Sequence, residues 1–226
     1  MIDVGLDELH RELQRHDGGR GAPRLGTLGP EGTTSHHIAV WLLELVGSAR
    51  PRSLQLELYP SFPEVLAAIE SDKIELALVP SAFAGATEFH WSPCLRLLLH
   101  FARATPAYGL AYSETVPAQG SEVVVAALPE VRRLLADLRT DALRAASPRW
   151  LDAQSTVEAA RMAADGRADF AITNEFGRRV ANLTWLSARA GPQIVWMVFA
   201  PMRCAPLTGS ALAGHSHMIE QERDDE

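Results

Sequence analysis

Gly29-Pro30-Glu31-Gly32-Thr33-Thr34-Ser35 sets three hydroxyl side chains directly after a glycine turn. An apolar run, Leu25 to Leu28, precedes the turn. Ile38, Trp41, Leu42, Leu45 and Val46 follow it at helical spacing. The segment reads as strand, tight turn and helix N-terminus. Such a terminus exposes unpaired backbone N–H groups and carries a partial positive charge. With hydroxyls added it suits a carboxylate or a phosphate. The same residues would also serve as a plain helix cap. Gly-Lys-Ser/Thr and Gly-x-Gly-x-x-Gly are both missing, so the turn is neither a P-loop nor a dinucleotide fingerprint. A second hydroxyl-bearing helix start stands at Ser155-Thr156-Val157-Glu158, with capping-box spacing.

The elements that must position these two starts are legible as alternating strands and helices. Leu54, Leu56 and Leu58 alternate with polar residues up to Pro60, a strand signal. Ser61-Phe62-Pro63-Glu64 is a capping box with proline in the first turn. Phe62, Val65, Leu66 and Ile69 form the buried stripe of its helix. Ile74 to Pro80 is almost wholly apolar, as a parallel strand covered on both faces should be. Residues 24–80 are thus β-α-β-α-β. Ser81 to Pro93 is expected as a loop at the carboxyl end of that strand, where open α/β sheets take ligands. Leu95–Phe101 and Tyr108–Tyr112 are expected to cross to a second lobe. There Glu122–Leu128, a helix opened by Pro129, Arg149–Leu151, the Ser155 helix and Ala168–Thr173 repeat the pattern. The expected division is an N-terminal helix and linker (1–23), lobe 1 (24–104 plus 181–203), lobe 2 (105–180) and a mobile acidic tail (204–226). Two such lobes form a cleft, an arrangement shared by enzymes and by bilobal solute-binding modules.

Composition narrows the partners. The chain has 226 residues, is 47% hydrophobic and carries a net charge of -7. That is ample for a core, and the acidity argues against nucleic acid. Lys73 is the only lysine, and Cys94 and Cys204 make neither metal spacing nor a disulfide framework. No apolar run reaches membrane-span length and the first residues are not signal-like, so a cytoplasmic protein with no membrane partner is expected. His215 and His217 sit in the acidic tail and are read as solvated rather than as metal ligands, so no metal site is expected.

Several segments resemble the prephenate-processing enzymes. Gly29 to Ser35 resembles the Gly-Pro-x-Gly-Thr signature of prephenate dehydratase catalytic domains. Leu78-Val79-Pro80 resembles the start of their Val-Pro-Ile-Glu-Asn-Ser segment, and Ser155 to Ala160 their Ser-Thr-x-x-Ala-Ala helix start. Two departures stand out. Ala82-Phe83-Ala84 replaces Glu-Asn-Ser, and Ile194-Val195-Trp196 replaces the Thr-Arg-Phe strand. No regulatory ACT domain is expected. A closer resemblance is to the non-aromatising prephenate decarboxylases of the bacilysin/anticapsin type. It is carried by Thr27–Thr33, Val79–Gly85, Thr105–Ala111, Ile172–Glu175 and the Trp196–Phe199 strand. The resemblance implies an α/β fold of two lobes, like type II periplasmic binding proteins, and a homodimer.

It also implies a reaction. A dehydratase expels carbon dioxide and hydroxide together, and the Thr-Arg-Phe threonine assists the leaving hydroxyl. Ile194 has no proton to give, so the hydroxyl would stay. Decarboxylation then needs only a proton delivered to a ring carbon, giving dihydro-4-hydroxyphenylpyruvate for a secondary-metabolite pathway, with no cofactor. Expected substrate-binding residues are Thr33, Thr34, Ser35, Ser81, Arg103, Thr105, Tyr108, Ser155, Thr156, Asn174 and Ile194. Expected proton donors are Glu31, Glu88, His90 and Glu175, with His36, His37 and Tyr108 as further candidates. The alternatives are a dehydratase forming phenylpyruvate and a non-catalytic sensor.

Overall fold

The computed structural model describes residues 3–15, 21–47, 54–114, 122–138 and 148–202. The expected tail, with Cys204, His215 and His217, lies outside the described residues, as does 16–20 of the linker.

Helix α1 (Asp3–Arg15) leads into β1 (Arg24–Leu28), α2 (Thr34–Gly47), β2 (Gln55–Tyr59), α3 (Phe62–Glu70) and β3 (Leu76–Pro80). These strands pair in parallel, β2 to β1 and β1 to β3. On β3 the side chains divide by parity, the two-residue period of a strand. Leu76 and Leu78 pack with Ile38, Leu42 and Val46 of α2. Ala77 and Val79 pack with Phe62, Val65 and Ile69 of α3. One strand buried on both faces explains its continuous apolar run. Leu9 and Leu13 of α1 join the α2 side of this core, and Arg96 ties that helix down through Glu8 and Glu12.

The expected loop after β3 contains a short helix, α4 (Ala86–Trp91). It is anchored by Phe89, buried against Phe199 at 5.5 Å between ring centroids. One large buried side chain holds that single turn, and no periodic pattern of six residues could announce it. Strand β4 (Leu95–Ala104) then leads through 105–107 to β5 (Tyr108–Tyr112). The second sheet adds β6 (Val124–Ala127), a 3-10 turn (Pro129–Leu134) running into α5 (Leu135–Leu138), β7 (Arg149–Asp152), α6 (Thr156–Ala164), β8 (Phe170–Asn174), α7 (Glu175–Val180) and β9 (Thr184–Arg189). Last comes β10 (Gln193–Pro201), back in the first sheet.

The two sheets have matching orders, β2-β1-β3-β10-β4 and β7-β6-β8-β5-β9. In each, three parallel strands are extended by an antiparallel pair. One expectation is corrected. The chain was to return to lobe 1 at 181, but β9 pairs with β5, from Tyr112↔Thr184 to Tyr108↔Arg189. The return falls at 190–192 instead. Thr184 to Arg189 is only half-buried to exposed, so its own pattern fits either sheet edge, and the neighbouring backbone decides.

The two links between sheets lie side by side. The Thr105 N–H donates to the Pro192 carbonyl at 2.9 Å and the Thr105 hydroxyl donates to it at 3.2 Å. Gly191 presses on this crossing, where a Cβ would come within 2.2 Å of the carbonyl oxygens of Thr105 and Pro106.

Candidate active site

The carboxyl ends of the parallel strands of both sheets open onto one cleft of about 330 Å³. Three helix N-termini reach it. Lobe 1 contributes Thr33–Ser35 at α2 and Ser61–Pro63 at α3; lobe 2 contributes Ser155–Thr156 at α6. The turn before α2 needs glycine at Gly32, whose φ is +86°. Among the described residues no lysine or arginine lines this cleft, and its carboxylates are Glu130 and Asp152, the latter ion-paired with Arg132. The positive charge it can offer an anion is therefore that of the peptide dipoles at those helix starts.

The hydroxyls are engaged unequally. Thr33 donates to the Leu28 carbonyl at 3.0 Å and accepts from the His36 N–H at 3.1 Å, so it caps the helix. Ser61 caps α3, accepting from the Glu64 N–H and donating to the Glu64 carboxylate at 2.9 Å. Ser155 accepts from the Glu158 N–H at 3.0 Å. Thr34 bridges the lobes. Its oxygen accepts from Asn174 Nδ2 at 2.9 Å and lies 3.1 Å from the Tyr108 hydroxyl. Asn174 is fixed in that orientation because its Oδ1 accepts from the Gly177 N–H at 2.7 Å, capping α7. Among the described residues, nothing partners the hydroxyls of Ser35 and Thr156, which line the cleft from opposite lobes.

The cleft floor near the hinge is formed by Tyr108, Ile194 and Trp196. Tyr108 is buried, and burial raises the pKa of its phenol. Tyr108 and Ile194 also line an adjoining chamber of about 640 Å³, together with Ala82, Ala84, Thr105 and Arg133. The sequence-predicted Thr33, Thr34, Ser35, Tyr108, Ser155, Thr156 and Ile194 thus meet at one cavity. Thr105 reaches only the chamber, and Asn174 stands behind Thr34.

The remaining expected residues stand elsewhere. Arg103 lies with its guanidinium 4.0 Å from the Trp41 ring centroid, a cation–π contact on lobe 1. Ser81 is exposed and its N–H donates to the Val195 carbonyl. All four expected proton donors lie outside the cleft lining. Glu31 is exposed on the turn, and Glu88 is exposed on α4. His90 lies on α4, 3.3 Å from Met197 Sδ and edge-on to Phe199. Glu175 accepts from Arg178, Arg179 and Trp185. Those bonds, that of Arg178 foremost, hold its carboxyl down at about 2. It therefore carries no proton near neutrality. His36 Nδ1 accepts from the Gly32 N–H, and His37 packs tilted against Phe176 with ring centroids 4.6 Å apart.

Sequence reasoning missed Glu130, Asp152, Gln154 and Arg133. Asp152 ends the parallel strand β7 and the others follow the end of β6 or β7, and that position was their only signal. Among the described residues no helix is long and apolar enough to cross a membrane.

No protein-family model matches the chain. It is 29% identical over 175 residues to a prephenate decarboxylase of Planktothrix agardhii, covering 77% of this chain and 86% of that protein. It is 27% identical over 198 residues to the prephenate decarboxylase of Bacillus subtilis (strain 168), covering 86% and 94%. Among solved structures, prephenate dehydratase from Arthrobacter aurescens, in complex with L-Phe, superposes with a TM-score of 0.57 at 17% identity over 79% of this chain. The chain spans 60% of that dehydratase's length. The periplasmic VFT2 domain of Bordetella pertussis BvgS superposes at 0.52 and 15% identity, with 85% of each chain covered. The chain therefore resembles prephenate decarboxylases along most of its length, and it has the two-lobed α/β fold of prephenate dehydratase and of periplasmic ligand-binding domains.

Proposed function

We propose that this protein is a lyase that removes carbon dioxide from prephenate without aromatising the ring. The similarity to curated prephenate decarboxylases supports the substrate and the reaction class. The observation that carries the choice of reaction is Ile194. It stands on the cleft floor, where the resemblance to dehydratases sets the threonine that assists the departing hydroxyl. An alkyl side chain gives that oxygen no proton, so the hydroxyl stays on the ring.

The two carboxylates of the substrate are held by the helix N-termini of α2 and α6, through their N–H groups and through Ser35 and Thr156. Arg133 attracts the pyruvyl carboxylate from the chamber, in place of Arg103 among the expected substrate-binding residues. The apolar wall of Ile194, Trp196, Ala82 and Phe83 faces the ring and excludes water, which favours loss of a carboxylate. The product enters a secondary-metabolite pathway of the antibiotic type, and the active form is a cytoplasmic homodimer.

Incubation with prephenate, followed by NMR of the product, tests this reading. The expected product retains the hydroxyl on a non-aromatic diene, with one carbon dioxide released. Phenylpyruvate would make the protein a dehydratase, and calorimetric binding without turnover would make it a sensor. Ile194→Thr alone should yield no phenylpyruvate, because Ala82, Phe83 and Ala84 keep their part of the wall apolar. Efficient aromatisation by that variant would refute the account of the wall.

A further inference from the structure

The proposed reaction needs a proton on carbon, and the four carboxylate and imidazole groups expected to give it all lie outside the cleft. We infer that Tyr108 is the proton donor, with Thr34 and Asn174 as positioning residues that turn its hydroxyl proton towards the substrate. The inference rests on the functional reading above and adds the donor to it.

Three observations point to the phenol. First, Tyr108 lines both the cleft and the chamber, and so does Ile194. The two side chains therefore share the end of the cavity where the ring hydroxyl is retained. Second, the hydrogen bonds allow an arrangement that leaves the phenol proton free. Asn174 Oδ1 is taken by the Gly177 N–H, so Nδ2 must donate to Thr34. In that 3.1 Å pair either hydroxyl can donate, and the inferred arrangement has Thr34 give its own proton to the Tyr108 oxygen. A phenol oxygen that accepts from Thr34 has its O–H left to aim into the cavity. Third, burial disfavours the phenolate, so the proton is present when substrate arrives.

The step balances. The bond from the ring to the carboxylate carbon breaks and carbon dioxide leaves. Its electron pair forms a double bond to the neighbouring ring carbon. The π pair displaced from that position takes the Tyr108 proton at the next carbon, beside the one bearing the hydroxyl. Water then returns a proton to the phenolate. The hydroxyl is not expelled, and no electrons are gained or lost overall. Because the phenol stands on one face of the ring, the proton enters from one face.

Turnover of prephenate in D₂O by the parent protein, Tyr108→Phe and Glu130→Gln tests the assignment. Phenylalanine keeps the packing and removes only the oxygen. The parent should place one deuterium on one face. Tyr108→Phe should lose about 100-fold or more in kcat, within the range for a general acid. Its KM should barely change, and deuterium in the residual product should be scrambled between faces. Glu130→Gln should keep the single-face label. If Tyr108→Phe works as the parent does, or if Glu130→Gln scrambles the label instead, the donor assignment is overturned while the lyase reading stands. If the parent releases no carbon dioxide from prephenate, both fall. Should Tyr108→Phe fail to fold, as judged by its melting curve, Thr34→Val and Thr34→Ser take its place. Valine should lower kcat about tenfold or more, and serine should restore it. Equal kcat in both would overturn the relay and the donor with it.

Discussion

The α2 and α6 starts face each other across the cleft and look alike in sequence, yet they use their hydroxyls differently. At α2, three hydroxyls are present. Thr33 is committed to the backbone on both its donor and acceptor sides, and Thr34 is committed across the lobes. Only Ser35 is open to the cavity. At α6, Ser155 caps the helix and Thr156 is open. Three residues and two residues thus reduce to one available hydroxyl on each wall. The difference teaches that the backbone has first claim on a hydroxyl at a helix start. Such groups become ligand-binding only after the orphan N–H groups and nearby carbonyls are satisfied.

Substitutions can break this comparison. The largest effect is expected from the open pair. A hydrogen bond to a charged carboxylate contributes about 1.5–3 kcal/mol. Ser35→Ala and Thr156→Val should therefore each raise the Kd for prephenate roughly ten- to hundredfold, with melting temperatures held. Calorimetry showing parental affinity in both would remove these hydroxyls from the grip. Thr33→Val should act in the opposite manner, lowering stability by about 0.5–2 kcal/mol as a lost cap does, while affinity holds. Weaker binding at an unchanged melting temperature would mean that Thr33, not Ser35, serves the ligand.

Two smaller effects sharpen the contrast between the cleft and its surroundings. The hydrogen bonds from Arg178 and Arg179 hold the Glu175 carboxyl in the folded protein at about 2, below its ordinary 4.5. Its ion pairs therefore stabilise the fold fully above about pH 5, and that contribution disappears as pH falls towards 2. Glu175→Gln should reduce stability near neutrality by about 1 kcal/mol at most, given partial exposure. Denaturation curves of parent and variant should converge on acidification. Curves that stay parallel would show the ion pairs to be without weight. Arg133→Ala should raise KM about two- to fivefold, the scale of an exposed charge, and added salt should diminish the difference. A salt-independent change would point to packing instead.

Much of the architecture was legible because it is local. The parity of β3, the capping boxes at Ser61 and Ser155 and the hydroxyl turn at Gly29–Ser35 follow from short-range periods and turn chemistry. What was not legible depends on contacts between distant segments. Nothing in Thr184–Arg189 tells β5 from a lobe 1 strand as its partner. Glu175 looked available at a strand end until Arg178, Arg179 and Trp185 closed on it. Arg103 looked poised for a carboxylate until Trp41 lay beneath it. Tyr108 was the reverse case. Its role depends on residues 74 and 66 positions away, Thr34 and Asn174, and no window along the chain brings those three together.

The cleft wall of helix N-termini, with no lining lysine or arginine among the described residues, has a further consequence. A field made of peptide dipoles has no proton to lose. It is as strong in mild alkali as in mild acid, whereas a lysine-built site fades as the amine deprotonates. Recognition of a fully ionised diacid by such a wall is flat across the physiological pH range. Any slope in the turnover of this protein then belongs to the proton being delivered, and a pH profile becomes a direct reading of the donor.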